Sequence, residues 1–187
     1  MRILVAITGA SGLEYGRRLV EVLKKTKNGE RVDVVYASVV VSTGAREVAK
    51  AEKTKLPKAD YDEFDFSCPY ASGSNPPDAM VVIPCSLKTL GEIANGVGNS
   101  LVTRAAEVAL KERKKLILVV RETPYSLITI KNMERVTLAG GVVLPASPGF
   151  YGKPRKVDDL IDFIVARVLD QLGVKHALGK RWSGQSR

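Results

Sequence analysis

The sequence predicts a doubly wound α/β sandwich, a parallel sheet with helices on both faces. Three observations carry this. Short apolar runs without polar alternation recur at residues 3–7, 80–83, 116–120 and 142–144, as expected of strands buried on both faces. Helical spacing of apolar residues falls between those runs. Strand alternating with helix is the pattern of a parallel sheet built from crossover units.

Taken in order, residues 3–7 (ILVAI) form the first strand and lack a signal-peptide cleavage pattern. Leu19, Val20 and Leu23 mark one face of the helix that follows. Residues 32–41 read as a second, β-branched strand with a less defined end. Residues 55–77 are polar and turn-rich without a period, and read as a long functional or mobile loop. After the strand at 80–83, Ser86 is the expected N-cap of a helix. Leu101, Val102, Ala105, Val108 and Ala109 mark a further helix before the strand at 116–120. Thr123, followed by Pro124, is the expected cap of the next. Leu160, Ile161, Ile164, Val165, Val168, Leu169 and Leu172 hold a 3–4 spacing in the last helix. One domain over residues 1–187 is expected, with about 173–187 as a C-terminal tail or arm.

Composition narrows the function. The 187 residues are 45% hydrophobic and 26% charged, ordinary for a core-forming chain. Net charge is +9, distributed as +1 over residues 1–99 and +8 over 100–187. Such asymmetry points to an anionic partner or to a solvated lysine-rich surface. Nucleic acid is disfavoured, because no recognition motif is present and aromatic residues make up only 6%. No apolar run reaches the roughly 18 residues of a membrane span. Cys68 and Cys85 do not make a zinc or disulfide framework, and an intracellular, cytoplasmic setting with free thiols is expected.

In doubly wound folds ligands bind beyond the carboxyl ends of the strands. After the first strand stands Thr8-Gly9-Ala10-Ser11-Gly12, either a tight structural turn or a phosphate cradle at a helix N-terminus. It lacks the full G-x-G-x-x-G pattern of dinucleotide sites. After the third run stand Ser86, Leu87, Lys88 and Thr89; a cation in a first helical turn opposes the helix dipole, and a bound anion removes that penalty. Arg121-Glu122 follows the next strand, as a structural ion pair or as site residues. Arg104 and Lys111, seven apart, share a helix face about 10 Å along the axis, a spacing that lets both reach one phosphate. Arg167 at the edge of the last apolar stripe needs an anionic partner or must snorkel. Lys180 and Arg181 read as solvated or as subunit-contact residues.

Several segments together resemble the flavin prenyltransferases of the UbiX family. They are ITGASG at 7–12 with Tyr15-Gly16, ASGS at 71–74, IPCSLKT at 83–89, LVTRAA at 101–106 with LKER at 110–113, VVRETP at 119–124, and Gly149-Phe150-Tyr151. The resemblance implies a Rossmann-like, flavodoxin-like three-layer αβα flavoprotein. It implies an enzyme that joins a dimethylallyl group from a dimethylallyl phosphate to N5 and C6 of reduced FMN, without metal. The prenylated FMN serves a partner decarboxylase of the UbiD type, and members assemble as dodecamers.

Carried over by position, Gly9, Ala10, Ser11, Ser42, Ser86, Leu87, Lys88, Thr89 and Arg121 contact FMN. Arg104, Lys111, Tyr151 and Arg167 hold the donor phosphate and Glu122 orients them. Glu52, with Ser11 as relay, handles a flavin-side proton; Ser11, Glu52, Lys111, Glu122 and Tyr151 form the implied catalytic set. Ser38 is the alternative to Ser42, and Phe66 stands where many members carry tryptophan. The acidic residues Asp60, Asp62, Glu63 and Asp65 read as a solvated loop rather than a magnesium motif. Two rivals remain: a flavin-dependent decarboxylase of the cysteine-decarboxylase type and a non-catalytic FMN carrier. The first needs a histidine by the flavin, whereas the single histidine, His176, lies near the polar C-terminus, where a surface role is expected.

Overall fold

The computed structural model describes residues 1–25, 36–179, 181, 182 and 184. Strands β1 (Arg2–Ile7), β2 (Tyr36–Val41), β3 (Ala79–Cys85), β4 (Lys115–Val120) and β5 (Val142–Val143) form one sheet in the order β2-β1-β3-β4-β5. Every pairing is parallel. Of the strand expected at 32–41, residues 36–41 are β2, and 32–35 lie outside the described residues.

Six helices are present among the described residues: α1 (Leu13–Lys25), α2 (Thr43–Glu52), α3 (Leu87–Ala94), α4 (Leu101–Lys111), α5 (Leu127–Leu138) and α6 (Val157–Leu172). Because successive side chains of a strand point to opposite faces, β1 divides its apolar residues between two cores. Ile3, Val5 and Ile7 pack with Leu19 and Leu23 of α1 and Ile164 and Val168 of α6. Leu4 and Ala6 pack with Leu90 of α3 and Leu101, Val102 and Ala105 of α4. The result is the expected three-layer αβα sandwich. Gly16 lets α1 lie directly on the sheet, since a Cβ there would collide with the Ile83 carbonyl oxygen.

Three expectations are corrected. The helix after β4 is capped not by Thr123 but by Ser126, whose side chain accepts from the Thr129 N–H at 3.2 Å. The Thr123 hydroxyl instead donates to the Glu122 carbonyl at 2.8 Å. Of the two readings of the segment 55–77, functional or mobile loop, the mobile one gives way: Cys68 and Tyr70 enter the core, Tyr61 forms a parallel bridge with Val40, and Pro69–Ala71 make a 3-10 turn. Its acids are not simply solvated. Asp60 accepts the Val39 N–H at 2.9 Å, and Glu63 accepts the Thr43 N–H at 2.5 Å. Beyond α6, Val174 packs into the core.

Candidate active site

The chain leaves β1 and crosses to β2 on one side, then returns past β1 to β3. That reversal opens a crevice at the carboxyl ends of β1 and β3. A cleft of ≈ 640 Å³ occupies it, within the range of small-molecule sites. Its walls come from four strand ends: Thr8, Gly9 and Ala10 after β1; Ser42, Thr43 and Gly44 after β2; Ser86 to Thr89 after β3; Arg121 and Glu122 after β4.

Thr8 ties the first and third of these together. Its hydroxyl donates to the Pro84 carbonyl at 2.8 Å and accepts the Ser86 N–H at 2.9 Å, and the side chain is buried. Ser86 then caps α3, accepting from the Thr89 N–H at 3.2 Å and donating to the Thr89 hydroxyl at 3.0 Å. Ser42 caps α2 in the same manner, accepting from the Ala45 N–H at 3.1 Å. Ser100, on the cleft wall, caps α4 likewise, accepting from the Thr103 N–H at 3.3 Å, so three capped helix N-termini face one cleft, each favourable to an anion.

Ser42 lies on the cleft wall, whereas Ser38 sits within β2 opposite Leu4. Phe64, not Phe66, lines the cleft. Lys88 does not stand unopposed in the first turn of α3: it pairs with Glu92 at 2.8 Å, and both line the cleft. No ion pair joins Arg121 to Glu122 among the described residues; Glu122 accepts the Thr123 N–H at 2.9 Å.

A flavin mononucleotide fits these walls. Arg121 Nε is buried with no partner among the described residues, a donor that an acceptor in the cleft would satisfy. Gly9 and Gly44 lie so close that neither strand-end turn carries a side chain into the space between them. Among the described residues no group of three His, Cys, Asp or Glu is placed to hold a metal.

The remaining expected residues fall into three places outside the cleft's lining. Glu52 reaches the turn before α1 that contains Ser11, where the Gly12 N–H points at Glu52 Oε2 at 3.4 Å. Arg104 and Lys111 share a face of α4 as expected and flank the segment 71–74. Arg104 Nε donates to the Ala71 carbonyl at 3.0 Å and Nη1 pairs with Glu107 at 2.9 Å. Lys111 pairs with Glu112 at 2.6 Å, and both charged ends occupy the place a Cβ on Gly73 would take. Tyr151 and Arg167 line a second cavity of ≈ 240 Å³ at the end of α6.

Arg167 has its anionic partner, Asp170, at 2.8 Å. The surface role expected of His176 is overturned: its side chain is 3% exposed and bonded to Asp170. Arg181 is solvent-exposed, as expected, and also pairs with Asp170 at 2.8 Å; Lys180 lies outside the described residues. Thr43, Gly44, Glu63 and Phe64 also line the cleft without having been expected there. Thr43 and Gly44 directly follow the expected Ser42, a signal that proximity to a strand end supplies. Glu63 and Phe64 belong to a loop whose course depends on pairings far away in sequence.

A parallel sheet with its cleft at the strand reversal, three capped helix ends and a buried arginine without a partner among the described residues define a doubly wound α/β protein with a small-molecule site suited to an anionic ligand. The sequence matches the Flavoprotein family over residues 1–169. The flavin prenyltransferase UbiX of Methanocaldococcus jannaschii is 46% identical over 189 residues, spanning 97% of this chain and 98% of that one. A crystal structure of the UbiX protein PadA1 with FMN and dimethylallyl pyrophosphate superposes with a TM-score of 0.90 at 40% identity, covering 99% of this chain and 98% of that chain. A dodecameric FMN-dependent UbiX-like decarboxylase from Escherichia coli O157:H7 superposes with a TM-score of 0.88 at 38% identity, covering 98% and 100%. This chain belongs to the UbiX family of flavin prenyltransferases.

Proposed function

We propose that the protein joins the dimethylallyl group of a dimethylallyl phosphate to N5 and C6 of reduced FMN and passes the product to a decarboxylase of the UbiD type. The buried Arg121 Nε, without a partner among the described residues, at a cleft flanked by three capped helix ends carries the reading. Gly9, Ala10 and Ser11, Ser42, Ser86 to Thr89 and Arg121 hold the flavin. When bound, reduced FMN supplies the nucleophilic nitrogen and the ring carbon that accept the prenyl group.

The chain's own residues serve the other half of the reaction. Charge grows on the phosphate as it leaves the allylic carbon, so cationic and hydroxyl donors fixed in advance stabilise that state most. Arg104, Lys111, Tyr151 and Arg167 are those donors, and Glu122 orients them. Glu52, beside Ser11, moves the flavin-side proton.

In one chain the four donors occupy two separate places, α4 beside the segment 71–74 and the cavity at the end of α6, while Glu122 lies on the cleft. Four residues that serve one phosphate must meet, and a closed assembly of identical copies brings them together without distorting any of them. The dodecamer of the E. coli relative supports that arrangement. A reducing cytoplasm suits the two buried free thiols.

The test mixes the protein with FMN, dithionite and dimethylallyl monophosphate or diphosphate, then weighs the extracted flavin by mass spectrometry. A flavin heavier by one prenyl group is expected; unmodified FMN with both donors sinks the proposal. Lys111→Ala is expected to weaken the donor while FMN stays bound.

A further inference from the structure

The end of α6 and the segment beyond it build a polar cluster around Asp170. Each carboxylate oxygen receives a guanidinium: Arg167 Nη1 reaches Oδ2 at 2.8 Å, and Arg181 Nη2 reaches Oδ1 at 2.8 Å. His176 Nε2 lies 3.1 Å from the same Oδ1. The Leu178 N–H donates to His176 Nδ1 at 3.2 Å, which places the ring proton on Nε2, directed at Asp170. The cluster opens into the ≈ 240 Å³ cavity with Tyr151, whose ring packs edge-on against Phe163 and Trp182 at centroid distances of 5.8 and 5.7 Å.

Stability alone does not account for this arrangement. The Arg167 and Arg181 side chains are 51% and 66% exposed, and exposed ion pairs of this kind contribute only about 0–1 kcal/mol. The ordered part lies beneath them: a buried imidazole with both nitrogens engaged, fixing one carboxylate oxygen. A guanidinium carries five N–H donors, and Asp170 takes one from each arginine. Arg181 Nη2 also lies 3.3 Å from His176 Nε2, and the solvent-facing edges of both half-exposed guanidiniums are open to a second anion. Asp170 also offsets the repulsion between two cations on flexible stems.

We infer that Asp170, held by His176, is a positioning residue that sets Arg167 and Arg181 side by side next to Tyr151, so that the segment after α6 delivers Arg181 as a further ligand of the donor phosphate. This rests on the reading of Tyr151 and Arg167 as donor-phosphate residues. Paired guanidiniums suit a phosphate, whose oxygens accept from several donors at once. The tail is then part of the binding site rather than an appendage.

Steady-state kinetics with reduced FMN and dimethylallyl monophosphate test this on Asp170→Asn, Arg181→Ala, Arg181→Lys and Arg167→Ala, with FMN affinity followed by fluorescence quenching. Asp170→Asn and Arg181→Ala are each expected to raise the donor KM about tenfold, the scale of one lost charge-assisted hydrogen bond, and to lower kcat by less. FMN affinity should stay within twofold of wild type, and Arg181→Lys should recover part of the loss. Wild-type donor KM in Arg181→Ala, with Arg167→Ala impaired, overturns the inference and leaves the reading of Arg167 standing. Wild-type donor KM in Arg167→Ala overturns that reading itself. If Asp170→Asn fails to fold, the exposed Arg181 variants still decide the matter. If Asp170→Asn lowers melting temperature and FMN affinity without moving donor KM, Asp170 is a brace and the positioning role is refuted.

Discussion

A Cβ placed on Gly9 lies 2.9 Å from the carbonyl carbon of Gly44, so the turn after β1 and the first turn of α2 touch backbone to backbone. Backbone atoms give way poorly, and overpacking of this kind costs about 1–3 kcal/mol. Gly9→Ala is therefore expected to weaken FMN by about tenfold or more, read by fluorescence titration. Gly91 is the contrasting case. It lies inside α3, and a Cβ there meets only Asn132 Nδ2 at an ordinary 3.6 Å. Gly91→Ala should stabilise the protein by about 0.5–1 kcal/mol, a rise of roughly 1–4 °C in Tm. An unchanged FMN affinity in Gly9→Ala would show that the two turns can separate without cost.

Thr8 is buried, and its one hydroxyl joins β1 to the cap of α3. Thr8→Val keeps the shape but leaves the Ser86 N–H without its acceptor and the Pro84 carbonyl with one fewer donor. A loss of about 1–3 kcal/mol in urea unfolding is expected, with a further drop in FMN affinity as the α3 cap loosens. Wild-type values for both would mean that water substitutes for the hydroxyl.

Burial pushes the thiols of both Cys68 and Cys85 above their ordinary range, which suppresses the reactive thiolate. Native protein is expected to resist an aromatic disulfide reagent at pH 8, and unfolded protein to release two equivalents. Rapid release of one equivalent from the native state would contradict the burial of Cys68 in the core.

Partial burial raises the pKa of the Asp170 carboxyl, but hydrogen bonds from Arg181 and His176 outweigh it, and the net shift is downward. A carboxylate whose folded pKa is depressed contributes stability above its unfolded pKa of about 3.9 and loses it as pH falls through the folded value. The contribution should be fully present above about pH 5, begin to decline near the unfolded pKa and be lost only as pH falls further through the depressed folded value. Thermal unfolding of wild type and Asp170→Asn across pH 3–7 checks this: the two curves should converge at the acid end. Parallel curves throughout would exclude an ionised Asp170 from the cluster.

Residues buried on both faces were the legible part of the fold. β1, β3 and β4 contain unbroken apolar runs because helices cover them on each side, and α6 shows its stripe because it lies along the sheet. α2 carried no such signal. Its buried residues are only Ala45 and Ala49, too small to register as an apolar period. The cleft was legible where site residues directly follow strands, as at Gly9, Ser86 and Arg121. It was not legible at Glu63 and Phe64. That loop is placed by Asp60 on the Val39 N–H and by the Leu101 N–H on the Glu63 carbonyl, partners no local pattern announces. His176 was misread for the same reason: a lone histidine in polar sequence is buried by a carboxylate six residues before it and an amide two residues after.

The strand order β2-β1-β3-β4-β5 also bears on how the protein folds. Its central pairing joins β1 to β3, with Ile3 opposite Ala79, so a long chain segment must close before that ladder forms. Loop-closure entropy is spent before the contact rewards it, which makes parallel sheets of this kind slow to nucleate. The cleft cannot precede that event, because its walls run from Thr8 to Glu122 and share no local segment. Competence to bind flavin thus arrives only when the centre of the sheet has closed, and flavin capture reports completion of folding rather than an early step in it.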